Sequence, residues 1–180
     1  LRAGMVVRAD RGPGNVSAGE IAAEAEVATG TFYNHFPTVD AFIDAVADNL
    51  GRGLEIGTDT LAEIEHDPAR RVAIGVLQLL RMADDDPTSA AAFVALAGAR
   101  ADFRARIRAI VARAIQDGAD SGSFDVTPGA AATNALLGAT LQSMRSRVLG
   151  YTGHSEALEV ARLTLRLLGT DPTQIESIVL

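Results

Sequence analysis

Four times along this chain a capping residue is followed at once by proline: Asp67-Pro68, Asp86-Pro87, Thr127-Pro128 and Asp171-Pro172. A short oxygen-bearing side chain satisfies the orphan N–H groups at a helix start, and proline suits the first helical position, where its missing N–H costs nothing. Each pair therefore reads as the beginning of a helix. Together with starts at Ser17, Thr29 and Thr38, they divide the chain into about nine helices, counting an incomplete one at the beginning. The predicted spans run from Thr29 to Phe36, Val39 to Glu65, Pro68 to Ala83, Pro87 to Ala97, Ala101 to Asp117, Pro128 to Leu149, Ser155 to Leu168 and Pro172 to Ile178, after a short helix behind Ser17. Gly51, Gly53 and Gly57 mark where the long helix is expected to bend. Composition agrees, since 48% of residues are apolar but only 4% aromatic, with alanine throughout. Alanine is the best helix former, whereas strands prefer β-branched and aromatic residues. The expected fold class is all-α.

The segment from Ser17 to Phe42 narrows this further. Ser17 and Glu20 form a Ser-x-x-Glu capping box, in which each side chain satisfies a backbone donor of the helix start. Ile21 to Ala25 continue as helix formers. Glu26, Val27 and Ala28 are too few for a flexible loop, so the helix beginning near Thr29 must cross the first at a steep angle. Pro37 ends that second helix by lacking a donor and by biasing Phe36 away from helical dihedrals. Thr38 then caps the next one. The pattern is that of a helix-turn-helix, with Phe32 and Phe36 four residues apart and packed inward.

Other chemistry has little support. The absence of cysteine removes disulfides and thiolate metal sites. His35, His66 and His154 lie far apart, without a partner at metal-ligand spacing. There is no Gly-x-Ser-x-Gly, no P-loop and no Ser/His/Asp grouping, so neither an enzyme nor a cofactor is expected. Apolar runs break well short of the roughly 20 residues of a spanning helix, and no signal-peptide pattern opens the chain. No membrane association and a cytoplasmic location are the expectation. The run Asp84, Asp85, Asp86 reads as a solvated loop leading into a cap, and Arg100, Arg104 and Arg108, with Arg106 and Arg113, as a solvated helix face. The net charge is −7, and residues 1–50 carry three arginines against seven carboxylates. Nucleic-acid binding usually leaves a basic footprint, so such binding here requires a few well-placed donors and acids that face away.

The Ser17–Phe42 run resembles the DNA-binding domain of the TetR family of bacterial transcriptional regulators, whose recognition segment has the form Gly-Thr-hydrophobic-Tyr-x-His-Phe. Here that segment is Gly30, Thr31, Phe32, Tyr33, Asn34, His35 and Phe36. The resemblance implies an N-terminal three-helix helix-turn-helix DNA-binding domain over residues 1–48, its first helix truncated, and a larger helical ligand-binding and dimerisation domain over residues 49–180. A basic N-terminal arm is expected ahead of Leu1. Thr29 and Thr31 are placed to reach base edges or thymine methyls, and Gly30 permits close backbone approach. Tyr33 and His35 resemble the family's phosphate-contacting pair, which positions without reading sequence. Asn34 either bonds adenine or faces solvent or sugar. Ser17 and the helix behind it are expected to touch phosphate. Three departures thin the contact: Glu26 at a turn that often holds glycine, Val39 where a phosphate-binding lysine is common, and Thr29 where relatives carry a long polar side chain. A shallower salt dependence is expected, because fewer counterions are released.

The resemblance also implies a ligand-responsive repressor, bound as a homodimer to palindromic double-stranded operator DNA and released by a small-molecule effector, apolar or amphipathic. The alternative is a helical small-molecule-binding module of the same fold with weakened or lost DNA binding. The family's pocket lies among the middle helices, where Leu77, Leu80, Arg81, Phe93, Phe103, Ile107, Asn134, Leu137 and Gln142 are the candidate lining. Dimerisation is assigned to helices 128–149 and 155–168. In the latter, Ala157, Val160, Ala161, Thr164, Leu165 and Leu168 form one apolar stripe, while Leu158, Leu163 and Leu167 occupy other faces.

Overall fold

The computed structural model describes residues 17–153 and 156–179, and all its regular elements are helices. In order they are α1 (Ala18–Glu24), α2 (Thr29–His35), α3 (Val39–Ile64), α4 (Pro68–Asp85), α5 (Pro87–Ala99), α6 (Ala101–Asp120), α7 (Ala130–Val148), α8 (Ala157–Leu167) and α9 (Pro172–Val179). The expected truncated first helix and basic arm, and the start at Ser155, lie outside the described residues.

The caps explain most of these boundaries. Ser17 and Glu20 form the reciprocal capping box of α1, and the Thr38 hydroxyl accepts from the Ala41 N–H at 3.0 Å. Asp67 accepts from Ala69 at the head of α4, and Asp86 from Ser89 at the head of α5, each followed by its proline. At α9, Asp171 accepts from both the N–H and the hydroxyl of Thr173. Those two bonds hold its carboxyl below the ordinary value, so this cap weakens as pH falls through the folded-state pKa.

Two expected starts behave differently. Thr29 is already the first residue of α2; the N-cap is Ala28, with no side-chain bond. Thr127-Pro128 opens no helix at all, and α7 begins two residues later behind Gly129. The reason is tertiary. Phe124 is buried against Gly118 of α6, and the Asp125 N–H donates to the Gly169 carbonyl at 3.4 Å, so the segment before α7 is committed to bridging two helix ends. The long helix α3 runs from Val39 to Ile64 as one element through its three glycines.

Helix α4 is the hub, packing against α3 and against every helix from α5 to α9. Leu80 of α4, Leu96 of α5, Ile115 of α6, Met144 of α7, and Leu165 of α8 with the adjoining Leu168 are fully buried. Each such side chain contributes about 1.5–3 kcal/mol by leaving water. Asp84 departs from the solvated loop that its sequence predicted: with Asp85 it closes α4, and it accepts at 2.7 Å from Arg147 of α7, whose side chain is 2% exposed. Only Asp85 remains at the surface, paired with Arg81. Among the described residues no helix is long and apolar enough to cross a membrane.

Candidate DNA interface and ligand cavity

At the N-terminal end, α1 and α2 meet through a turn with three short backbone bonds. Ala25 N–H donates to Ile21, Glu26 to Ala23 and Val27 to Ala22. The last two bonds make a Schellman motif, which requires a left-handed residue at its centre and usually takes glycine. That residue here is Glu26, at φ 56°, and no other non-glycine among the described residues has a positive φ. A side chain in this region costs roughly 1–2 kcal/mol. Glu26→Gly should therefore raise the unfolding free energy by about 1 kcal/mol, the net of relieved strain and greater unfolded-chain entropy. Chemical denaturation of the two proteins checks this, and a decrease would show that the Glu26 side chain contributes a favourable contact.

Beneath α2 lies an aromatic core. Phe32, 5% exposed, meets Phe36 at 5.7 Å and Phe42 at 5.6 Å between ring centroids, and Phe36 and Phe42 pack edge-to-face at 5.0 Å. With the inner face of α2 occupied by these rings, Thr29, Gly30, Thr31, Tyr33, Asn34 and His35 are all left exposed. Tyr33 is held edge-on against Phe32 at 5.3 Å and is 54% exposed. Ser17 is exposed too, but its hydroxyl already donates to Glu20 at 2.8 Å. The structure thus brings six of the seven expected DNA contacts onto one short helix, and the seventh onto the start of its neighbour.

The carboxylates of this region are largely accounted for elsewhere. Arg100, the residue that precedes α6, reaches Asp40 at 3.3 Å and also pairs with Asp44. Arg106 meets Asp48 and Glu55, each at 3.3 Å. These four acids all sit on α3, so Arg100 and Arg106 bridge two helices, while Arg113 stays exposed as a solvated face predicts. Arg104 instead donates to the Ala97 and Gly98 carbonyls that end α5, and Arg108 to Asn134. Exposed pairs of this kind contribute about 0–1 kcal/mol each and are screened by salt. Replacing Arg100 and Arg106 together by alanine should lower the melting temperature by a few degrees at low ionic strength. The deficit should shrink in 1 M salt, where the Debye length is about 3 Å; a salt-independent deficit would assign the effect to packing.

Beyond this junction a cavity of about 460 Å³ opens between α3, α4, α5, α6 and α7. Small-molecule sites are roughly 300–1,000 Å³, mostly apolar, with a few polar groups. Leu50, Leu54 and Leu61 line it from α3, Val72, Val76 and Leu79 from α4, Ile110 and Val111 from α6, and Leu136 and Leu141 from α7. Among its polar residues Arg71 is engaged by the Glu65 and His66 carbonyls and by Asp117. Asn49, Asp59, Gln78 and Arg113 are exposed at the cavity, and their side chains make no hydrogen bond or ion pair within the described residues.

Of the expected lining, Phe93, Ile107 and Leu137 border this space. The other six do not. Leu80 is fully buried in the core, Leu77 packs against that core half-buried, and Phe103 meets Phe93 edge-to-face at 5.1 Å. Arg81 pairs with Asp85, Asn134 accepts from Arg108, and Gln142 lies beside Ser146. What sequence reasoning missed is the whole α3 wall. Its signal was visible in Leu50, Leu54 and Leu61 alternating with Gly53 and Gly57 along one side of a helix.

Residues 1–46 match the family model described as bacterial regulatory proteins, tetR family, and residues 67–180 match the tetracyclin repressor-like C-terminal domain. No curated protein matches the chain. Among solved structures, RolR without ligand is 24% identical, with 98% of this chain and 92% of that one covered and a TM-score of 0.70. RolR in complex with resorcinol gives 23% identity, coverage of 98% and 89%, and a TM-score of 0.69. A gamma-butyrolactone receptor, described as ArpA-like, gives 18%, 99% and 90%, with a TM-score of 0.75. At these identities the structures establish the shared fold, while the two family models span both the helix-turn-helix and the larger helical region. The chain belongs to the TetR family of bacterial regulatory proteins.

Proposed function

We propose that this regulator is a ligand-responsive repressor that binds a palindromic operator as a homodimer and is released by an apolar or amphipathic small molecule. The observation that carries this reading is the path of α3. Its first turn packs Phe42 against Phe32 and Phe36 behind the recognition helix, and its later turns form one wall of the cavity. A single helix of 26 residues spans about 39 Å at 1.5 Å per residue, so a ligand that shifts its far half also moves α2. Two recognition helices must sit about 34–36 Å apart to enter successive major grooves. An effector that favours any other spacing lowers operator affinity, and operator binding lowers effector affinity by the same factor.

On this reading residues 1–48 are the DNA-binding domain and residues 49–180 the effector and dimerisation domain. Thr29, Gly30, Thr31 and Asn34 approach bases, and Tyr33, His35 and Ser17 approach phosphates. The partner surface is α7 with α8: Leu158, Leu163 and Leu167 of α8 and, just after α7, Leu149 and Tyr151 are 41–77% exposed. Exposed large apolar side chains along α8 and at the end of α7 mark an interaction surface. Light scattering after size exclusion should give twice the chain mass at micromolar concentration; a monomer would sink the dimer assignment.

The direct test is an electrophoretic shift with the DNA that flanks the protein's own coding region, with and without compounds selected by thermal shift. A specific complex dissolved by a stabilising compound supports the repressor. No shift even at low salt favours the binding module that has lost productive DNA contact.

A further inference from the structure

Three of the residues that line the cavity, Gly53, Gly57 and Gly75, carry no side chain. Glycine is the poorest helix former after proline, so glycine inside a helix calls for a packing or functional reason. Two of the helical glycines have a packing reason: a Cβ on Gly51 would run into the Arg106 side chain, which is paired there with Asp48 and Glu55, and a Cβ on Gly118 would run into the Phe124 ring. Gly53 and Gly57 of α3 and Gly75 of α4 have none. A Cβ at any of the three would meet no atom within 4 Å, and all three line the cavity. Alanine would favour the helix at each position without a clash.

We propose that Gly53, Gly57 and Gly75 are the size- and shape-selecting positions of the effector cavity, and that they keep room for a ligand with a broad, flat apolar ring system laid against helix backbone. Gly53 and Gly57 lie one turn apart, so a strip of α3 about 6 Å long meets the cavity with backbone alone, while Leu54 and Thr58 line the cavity beside it. Gly75 lowers the wall of α4 in the same way. An extended alkyl chain needs no such clearance, because Leu50, Leu54, Val72, Val76 and Leu79 would still enclose it with alanine at all three sites. A ring system does, since its width is fixed and its face needs a flat surface to lie on. The inference rests on the reading of this cavity as the effector site.

The test is fluorescence titration of the whole chain with N-phenyl-1-naphthylamine, a neutral aromatic-ring probe, and with cis-parinaric acid, a linear polyene chain. Gly57→Leu and Gly75→Leu should each weaken naphthylamine binding at least about tenfold, a loss of about 1.4 kcal/mol. Cis-parinaric acid should stay within about threefold, roughly half of that free-energy change. Each variant should melt at or above the temperature of the parent. Gly75→Ala should give a smaller loss of the ring probe, and Gly98→Ala, a site away from the cavity with open space beside it, should raise the melting temperature without changing either affinity. Leucine variants that bind the ring probe like the parent would overturn the proposal, as would variants that melt lower than the parent. Equal losses for both probes would overturn the ring assignment. A parent chain that binds neither probe would instead remove the effector reading of the cavity, and the inference with it.

Discussion

Replacing Phe42 by alanine is expected to lower the unfolding free energy by about 3–5 kcal/mol, the usual cost of truncating a buried phenylalanine. Phe42 is 3% exposed and its ring touches both Phe32 and Phe36. It is also the side chain through which α3 enters the small core behind the recognition helix. With a total stability of about 5–15 kcal/mol for a typical protein, the loss takes a large share of what holds the helix-turn-helix in place. At about 2–4 °C per kcal/mol for a chain of this size, the melting temperature followed by circular dichroism should fall by on the order of 10 °C. DNA binding should be lost with it, because the exposed face of α2 is defined only by what its buried face packs on. Phe42→Leu, which conserves most of the volume, should cost less than about 1.5 kcal/mol. An alanine variant with nearly unchanged stability would mean that the three rings do not act as one core.

Tyr33 and His35 carry the second large effect. Both are exposed, so replacing them by alanine removes little packing beyond the edge contact of Tyr33 with Phe32. Hydrogen bonds to charged groups contribute about 1.5–3 kcal/mol each, so the double variant should bind operator at least a hundredfold more weakly while keeping its helical signal. The loss should be similar on specific and non-specific DNA, since phosphate contacts position the protein without reading sequence. Replacing Thr31 or Asn34 should instead weaken the specific complex selectively, by about 1–3 kcal/mol for a good base contact. Fluorescence anisotropy with the two DNAs separates the two patterns. A double variant with unaltered affinity would remove Tyr33 and His35 from the interface.

The negative charge of the first fifty residues no longer opposes DNA binding as strongly as composition implied. Asp40, Asp44 and Asp48 are directed to Arg100 and Arg106 across the α3–α6 junction, so part of the acidity serves to tie the reading head to the larger domain. Glu20 is engaged in the α1 capping box. The proposed interface stays lean in cations, with Val39 half-buried against the core. A shallow salt dependence of operator affinity remains the expectation.

Helix existence was legible because its causes are local. A cap, a proline and an apolar period act within about four residues of one another. They placed α3, α4, α5 and α9 at their observed starts, and the Glu26 departure from glycine marked the left-handed turn found there. Thr127-Pro128 has the same local chemistry and starts nothing, because Phe124 and Asp125 are held by Gly118 and Gly169 from other parts of the chain.

The sequence by itself determined the all-helical class, the helix-turn-helix and the side chains that α2 shows to solvent, since each follows from neighbours in the chain. Only the tertiary structure decided which charges cancel, that Asp84 meets the buried Arg147, and that the glycines of α3 and α4 border one cavity. Those outcomes join residues dozens of positions apart, Arg100 to Asp44 across 56 and Arg147 to Asp84 across 63. No pattern within a single helix records which neighbour will pack against it.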